Sequence, residues 1–303
     1  MAIESRSGAS PSASKTILVL GAFGMLGHML VRTLTDSHQV VGTSSREKPD
    51  FRKLKGVLDR DSVFVGIDGR DFTQIKRVID AVNPDVLVNC TGIVKQKMGV
   101  ASTLDALLLN SVLPHQLLGY CITRGVRVLT FSTDCVFRGT PGLKNLGDTP
   151  DATDEYGMTK RLGELDDGSA LTLRAPFVGR QLLGHESFFE WILMNRGRSV
   201  MGYKNAIYSG MTTKVLARIV QNIIVDHPSL GGLFQVASEP ISKFDLIVGL
   251  NEIMNLGITV EPDTKFCCDR SLDGTAFSRA TQIQVPSWFE MLDEFSKDQD
   301  FYS

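Results

Sequence analysis

Tyr156 and Lys160 lie four residues apart in YGMTK (156–160), a spacing that puts both side chains on one face of a helix. A phenol is a poor acid–base at neutral pH. An ammonium beside it is expected to lower its pKa and make proton donation and recovery feasible. Ser132, Thr133 and Asp134 follow the apolar, β-branched run VRVLTFST (126–133), which reads as a buried strand. A hydroxyl at the carboxyl end of such a strand can hold a carbonyl oxygen while the phenol protonates it. Asn110 falls in an apolar helical stretch, where its amide either holds a relay water or is satisfied within the core. Together these residues describe proton transfer to and from a carbonyl or alcohol oxygen.

A second constellation handles phosphate. Gly21, Gly24 and Gly27 form GAFGMLG (21–27) directly after the apolar run TILVLG (16–21). Glycines there permit a tight turn, a close approach of backbone to pyrophosphate, and packing of the following helix on the strand. Free N–H groups at the helix start favour the phosphates of a dinucleotide. The second strand, QVVGT (39–43), ends in Thr43, Ser44, Ser45 and Arg46, with no carboxylate before Glu47. A carboxylate at that place would favour an unmodified ribose, whereas hydroxyls and a guanidinium suit a 2′-phosphate, so NADPH is expected ahead of NADH. Asp71 and Phe72 are candidates for the adenine pocket, and Asp71 is equally suited to cap the next helix.

Positioning these groups requires alternating strands and helices. Strands are predicted at 16–21, 39–43, 62–68, 85–92, 126–133, 170–176 and 232–238. Helices are predicted at about 24–35 and at 72–82, 104–125 (interrupted at Pro114), 155–165 and 212–226. Such alternation implies a parallel sheet covered on both faces. The 303 residues, 43% hydrophobic and 22% charged with net charge −2, suffice for one large α/β domain and a smaller lobe. The charge balance argues against nucleic acid or an anionic membrane as the main partner. Cys90, Cys121, Cys135, Cys267 and Cys268 show no CxxC spacing, and the histidines are scattered. Neither a disulfide framework nor a metal site is expected, and a cytoplasmic location is. Residues 1–15 read as a disordered tail.

The ordered motifs GAFGMLG, NCTG (89–92), LNSVLPHQL (109–117), FSTDCVFRG (131–139), YGMTK and LRAPFVG (173–179) resemble an extended short-chain dehydrogenase/reductase. Within that group the chain is similar to the dTDP-4-dehydrorhamnose reductase family. The motifs cover most of residues 15–180, and LFQVASEPISKFDLI (233–247) is the clearest likeness beyond. The resemblance implies an α/β fold with a Rossmann-type doubly wound parallel sheet and a smaller C-terminal α/β substrate lobe. The NADP-binding domain would comprise 15–178 plus about 206–237, and the substrate lobe 179–205 plus 238–303.

It also implies a catalytic triad of Thr133, Tyr156 and Lys160, with Ser132 as a helper. Gly21, Phe23, Gly24, Met25, Leu26 and Gly27 would wrap the pyrophosphate, Cys90, Thr91 and Gly92 would line the cofactor groove, and Lys160 would hold the nicotinamide ribose. The reaction implied is reduction of the 4-keto group of a dTDP- or UDP-deoxysugar by a homodimer. Cys135 replaces the tyrosine common after STD, so the sugar contact is expected to differ. Asp134 and Cys135 face the substrate, and a Cys135 nucleophile lacks a neighbouring base in the sequence. Lys95 and Lys97 either attract a diphosphate or are solvated. Arg180, Arg198 and Arg270 are the phosphate candidates of the second half, where Phe188 and Trp191 either stack on a base or belong to the core. An epimerase with tightly bound NAD, and a non-catalytic dinucleotide-binding subunit, remain open on the same fold.

Overall fold

The computed structural model describes residues 14–54, 57–95, 98 and 102–302. Residues 1–13 of the expected tail, and Lys97, lie outside the described residues. The first part of the chain runs β1 (Thr16–Leu20), α1 (Gly27–Leu34), β2 (Gln39–Thr43), β3 (Val63–Phe64), α2 (Phe72–Val82) and β4 (Val86–Asn89). It continues through α3 (Thr103–Ala106), α4 (Leu113–Ile122), β5 (Arg127–Ser132), α5 (Glu155–Leu162), β6 (Leu171–Arg174) and β7 (Phe177–Val178). Then follow α6 (Phe188–Met194), β8 (Ser199–Tyr208), β9 (Met211–Thr212), α7 (Thr213–Asp226) and β10 (Gly232–Gln235). The last elements are β11 (Ile241–Ser242), α8 (Lys243–Met254), β12 (Thr259–Asp269), α9 (Thr275–Thr281) and α10 (Trp288–Lys297).

Seven strands form one sheet in the order β10-β6-β5-β4-β1-β2-β3, every neighbouring pair parallel. Alternate residues of β1 enter opposite cores, because side chains of a strand point to opposite faces. Ile17 and Val19 pack with Met29, Leu30, Val220 and Ile223 of α1 and α7. Leu18 and Leu20 pack with Ile75, Ile79, Leu113 and Leu117 of α2 and α4. Strand order reverses between β1 and β4, so the carboxyl ends of these two strands open the crevice in which ligands of such sheets bind. A second, three-stranded sheet, β11-β8-β12, carries α8. The expected boundary at 205/206 falls inside β8, which runs unbroken to Tyr208.

Two sequence expectations change. The strand predicted at 62–68 shrinks to Val63–Phe64, because Gly66 adopts a left-handed φ of 69° and turns the chain. The helix at 104–125 is not interrupted at Pro114. Residues Leu107–Val112 form a π-helical turn between α3 and α4, and Pro114 sits in the first turn of α4, where its missing N–H costs little. No helix among the described residues is long and apolar enough to cross a membrane.

Candidate active site

The glycine loop joins β1 to α1 at the carboxyl edge of the sheet. A Cβ on Gly27 would overlap the carbonyl oxygen of Gly21, so only glycine lets α1 start this close to the strand. Thr43 stitches the loop to β2: its Oγ1 accepts the Gly21 N–H at 3.1 Å and its carbonyl accepts the Ala22 N–H at 2.9 Å. The backbone N–H groups of Phe23, Met25 and Leu26 have no partner among the described residues. The side chains of Phe23 and Leu26 are buried in the core, with Phe23 edge-on to Phe51 at 5.8 Å. What this loop offers an anion is therefore backbone.

Beyond β2, Ser44 is buried and its Oγ accepts the Arg46 N–H at 3.1 Å, while Ser45 and Arg46 are exposed. The Arg46 guanidinium has no partner among the described residues. Asp71 caps α2, accepting the Thr73 N–H at 3.0 Å and the Gln74 amide at 3.1 Å. Phe72 packs edge-on to Tyr120 at 5.9 Å beside the second core. Gly66 and Ile67 fasten the segment ahead of α2 to the Ser44–Arg46 turn, donating their N–H groups to the carbonyls of Arg46 and Ser44.

Across the crevice Cys90, Thr91 and Gly92 follow β4. Asn89 Oδ1 accepts the Thr91 N–H and hydroxyl, and the Cys90 N–H bonds to the Leu20 carbonyl at 3.0 Å. Burial pushes the Cys90 thiol's pKa up. Asn110 lies in the π turn and is almost wholly buried. Its Oδ1 accepts the Ile93 N–H at 2.9 Å. Its Nδ2 donates to the Ile93 carbonyl at 3.1 Å and to Thr159 Oγ1 at 3.2 Å. Of the two sequence alternatives, the geometry is that of a satisfied amide, which fastens the 91–93 loop to α5.

The α5 N-terminus presses on the turn after β5. A Cβ on Gly157 would overlap the Cys135 carbonyl, and this close approach brings Tyr156 near enough to Thr133 for its hydroxyl to bear on the phenol's proton affinity. Thr133 Oγ1 also donates to Asp134 Oδ1 at 3.0 Å and accepts the Cys135 N–H at 3.2 Å. Ser132 points the other way. Its hydroxyl donates to Glu164 at 2.6 Å, beneath the site, where Glu164 grips Arg174 through both carboxylate oxygens at 2.7 and 2.8 Å. Lys160 donates to the Phe131 carbonyl at 2.6 Å, and burial brings its pKa down to about 8 against the opposing charge of Glu164.

The phenol departs from expectation. Burial first, then Cys135, with Asp134 and Asp154 adding, pushes the Tyr156 pKa up against the Thr133 hydroxyl, which lowers it. The Lys160 ammonium donates to the β5 backbone, and burial of the phenol outweighs the relief a neighbouring cation gives. Cys135 is itself held up at about 12 by burial and Asp134, the state of a thiol rather than a nucleophile.

Of the second-half arginines, Arg270 borders the site. It donates to the Phe137 carbonyl at 2.9 Å and lies 4.0 Å from Asp154, the N-cap of α5, which also pairs with Lys95 at 3.1 Å. Arg180 is spent elsewhere, on buried Glu190 at 2.6 Å and on Gln299 at 2.7 Å. Arg198 is exposed just before β8, at the end of that strand opposite Tyr208 and therefore roughly 30 Å away. Phe188 and Trp191 stack at 5.8 Å on α6. Lys243, inside LFQVASEPISKFDLI, and Tyr208, outside every motif, border the same site. The Lys243 ammonium lies over the Tyr208 ring, and Asp134 acts electrostatically on both.

Known proteins resemble this chain in sequence and in fold. Residues 17–166 match the NAD dependent epimerase/dehydratase family. A probable low-salt glycan biosynthesis reductase, Agl14, of Haloferax volcanii is 32% identical over 166 residues, 53% of this chain and 52% of the relative. A dTDP-4-keto-6-deoxy-D-glucose reductase of Streptomyces niveus is 32% identical over 172 residues, 54% and 53% of the two chains. These alignments span about half the length of each relative. The crystal structure of dTDP-4-dehydrorhamnose reductase from Bacillus anthracis in complex with NADP superposes with a TM-score of 0.75. It covers 93% of this chain and 98% of its own at 18% identity, a likeness of fold. Through residues 17–166, which hold the glycine loop, Thr133, Tyr156 and Lys160, the chain belongs to the NAD dependent epimerase/dehydratase family.

Proposed function

We propose that the protein is an NADPH-dependent reductase of the 4-keto group of a dTDP- or UDP-activated deoxysugar. The observation that carries this reading is the convergence of Thr133, Tyr156 and Lys160 beside a glycine loop whose backbone N–H groups are open. The relatives named as reductases support it. The residues fit a dinucleotide: the Gly21–Gly27 backbone would hold the pyrophosphate, Ser44, Ser45 and Arg46 the 2′-phosphate, Cys90–Gly92 the groove wall, and Lys160 the nicotinamide ribose. NADPH, when bound, supplies the hydride.

The chain's own work is proton transfer and placement. Thr133 holds the substrate's carbonyl oxygen when its one hydroxyl proton turns from Asp134 to that oxygen, and the Tyr156 phenol gives that oxygen its proton. The phenol carries its proton at neutral pH and so enters this step as a loaded donor. The positive charge of Lys160 favours the phenolate left behind. Ser132 and Glu164 hold the end of β5 from below and do not touch the reacting atoms.

We place the enzyme in the cytoplasm as a homodimer. Free cysteines accord with a reducing compartment. Leu104 and Val112, with Met158 and Leu162 of α5, leave an exposed apolar stripe along neighbouring helices, Leu104 and Leu162 being 63% and 59% exposed. The substrate lobe comprises the β11-β8-β12 sheet with α6, α8 and α10.

The test is loss of NADPH absorbance with dTDP- and UDP-linked 4-keto-6-deoxy sugars. Sugar-dependent oxidation of NADPH is expected, reduced about 10²- to 10⁴-fold in Tyr156→Phe. Tight dinucleotide binding without turnover on any of these sugars would remove the reductase reading.

A further inference from the structure

Two side chains beyond Thr133 have no part in the proton transfer above. Tyr208 ends β8, and it is 5% exposed with a buried hydroxyl that has no hydrogen-bond partner. Lys243, the first residue of α8, holds its ammonium 4.0 Å from the centre of the Tyr208 ring and 4.4 Å from that of Phe188. Its ammonium makes no hydrogen bond or ion pair among the described residues. The fold brings the two together by pairing Ile241 with Tyr208 and Ser242 with Ile207, which starts α8 against the end of β8. Arg270 ties this end of β8 to the turn after β5, its N–H donating to the Ile207 carbonyl and its guanidinium to the Phe137 carbonyl, both at 2.9 Å. The Asp134 charge, held by Thr133, is felt by Lys243, Tyr208 and Tyr156 alike.

An unmade hydrogen bond on a buried phenol is costly, and an ammonium held only by ring faces has three donors unspent. Both costs are recovered when a ligand supplies oxygens. One hydroxyl, one cation and two aromatic faces next to a carbonyl-holding threonine complement a pyranose, which has oxygens on its rim and an apolar face. Thr133 and Tyr156 are occupied by the reacting oxygen, so the rim positions beyond it are left for this pair.

We propose that Lys243 and Tyr208 bind the ring substituents of the sugar beyond the reacting carbonyl and so determine which sugar is accepted, an assignment that rests on the nucleotide-sugar reading above.

The test is calorimetric titration of the NADP⁺-loaded full chain with dTDP-glucose, UDP-glucose, and the nucleotides dTDP and UDP alone. Wild type is compared with Tyr208→Phe, Lys243→Met and Lys243→Arg. The sugar conjugate preferred by wild type should bind at least about tenfold more weakly to Lys243→Met and about fivefold more weakly to Tyr208→Phe, with Lys243→Arg between wild type and Lys243→Met. Affinities for NADP⁺ and for the free nucleotide should not move, which also certifies folding. Tyr208→Phe should melt no lower than wild type, since the hydroxyl removed has no partner to lose. Equal weakening of the free nucleotide, unchanged affinity for the conjugate, or a lower melting temperature for Tyr208→Phe would each overturn the assignment while leaving the reductase reading in place. Wild type that binds neither conjugate better than its nucleotide would overturn both.

Discussion

Glu164→Gln separates what holds the site from what reacts in it. Glu164 follows α5, four residues after Lys160, and its carboxylate accepts two bonds from Arg174 and one from Ser132. The two partners' side chains are 4% and 8% exposed. Glutamine keeps the shape and deletes the charge. Arg174 would then keep its own charge with only Gln235 Oε1 at 3.5 Å and the Phe137 ring face at 5.4 Å in support. Removing one member of a buried ion pair costs about 3–5 kcal/mol; the amide oxygen can still accept one guanidinium bond, which puts the loss near about 3 kcal/mol. For a chain of this size that lowers the melting temperature by roughly 6 °C.

The same substitution should move a titration. Burial depresses Lys160 from 10.5 to about 8, and Glu164 is the first group opposing that fall. Without it the folded-state pKa drops below 8. A depressed lysine binds fewer protons when folded than when unfolded. Its buried charge therefore costs stability fully below pH 8, and the cost fades as pH rises toward 10.5. In Glu164→Gln that recovery begins at lower pH, and the alkaline limb of the kcat/KM profile shifts the same way. Thermal unfolding at neutral pH and a pH–rate profile check both effects. A variant melting within roughly 1 °C of wild type with an unmoved alkaline limb would refute the claim that this pair supports β5 and tunes Lys160. Glu164→Gln/Arg174→Leu should regain part of the lost stability, because no unpaired charge remains.

Further outcomes follow from single positions. Arg46→Asp should raise the KM for NADPH at least about tenfold and leave NADH much less affected, since one exposed guanidinium is exchanged for a like-charged repulsion of the 2′-phosphate; steady-state kinetics with both cofactors decide. Gly27→Ala places a Cβ into the Gly21 carbonyl and should abolish dinucleotide binding in a fluorescence titration before it abolishes folding measured by circular dichroism. Leu162→Glu puts a charge into the exposed stripe beside Met158 and should convert a dimer to a monomer by light scattering, with the melting temperature of the monomer unchanged.

The sheet was legible because each strand announces itself locally. TILVLG is almost wholly apolar and VRVLTFST is rich in apolar and β-branched residues, as strands covered on both faces are, and glycine or polar residues mark their ends. The glycine loop and the Tyr156–Lys160 pair were legible for the same reason, as short spacings within one element. The third strand was not. SVFVGID has the composition of a strand, but the left-handed turn at Gly66 ends it after two residues. Pro114 misled in the opposite sense, because a π turn ahead of it spares the helix a break that composition alone implies. The meeting of Lys243 and Tyr208 was invisible: Lys243 lies in LFQVASEPISKFDLI and Tyr208 in no motif, and they are joined by the β11–β8 pairing 33 residues or more along the chain. Arg180 and Arg198 looked like phosphate ligands by type, yet one is consumed by Glu190 and the other lies at the wrong end of β8.

This division has a physical origin. A dinucleotide is gripped by backbone at strand ends, so its site is written in glycines and strand boundaries that any sequence reading recovers. A sugar is gripped by side chains gathered from separate elements, and their meeting depends on strand pairing that no local pattern records. Tyr156 stands between the two regimes. Its identity and spacing are local, but its proton affinity is set first by burial and then by Cys135, Asp134 and Asp154, which come from the turn after β5 and the cap of α5. Lys160, four residues along the same helix, donates to the Phe131 carbonyl of β5, and burial brings it down to about 8. The spacing shows which two groups meet, and the packing around them decides how tightly each holds its proton.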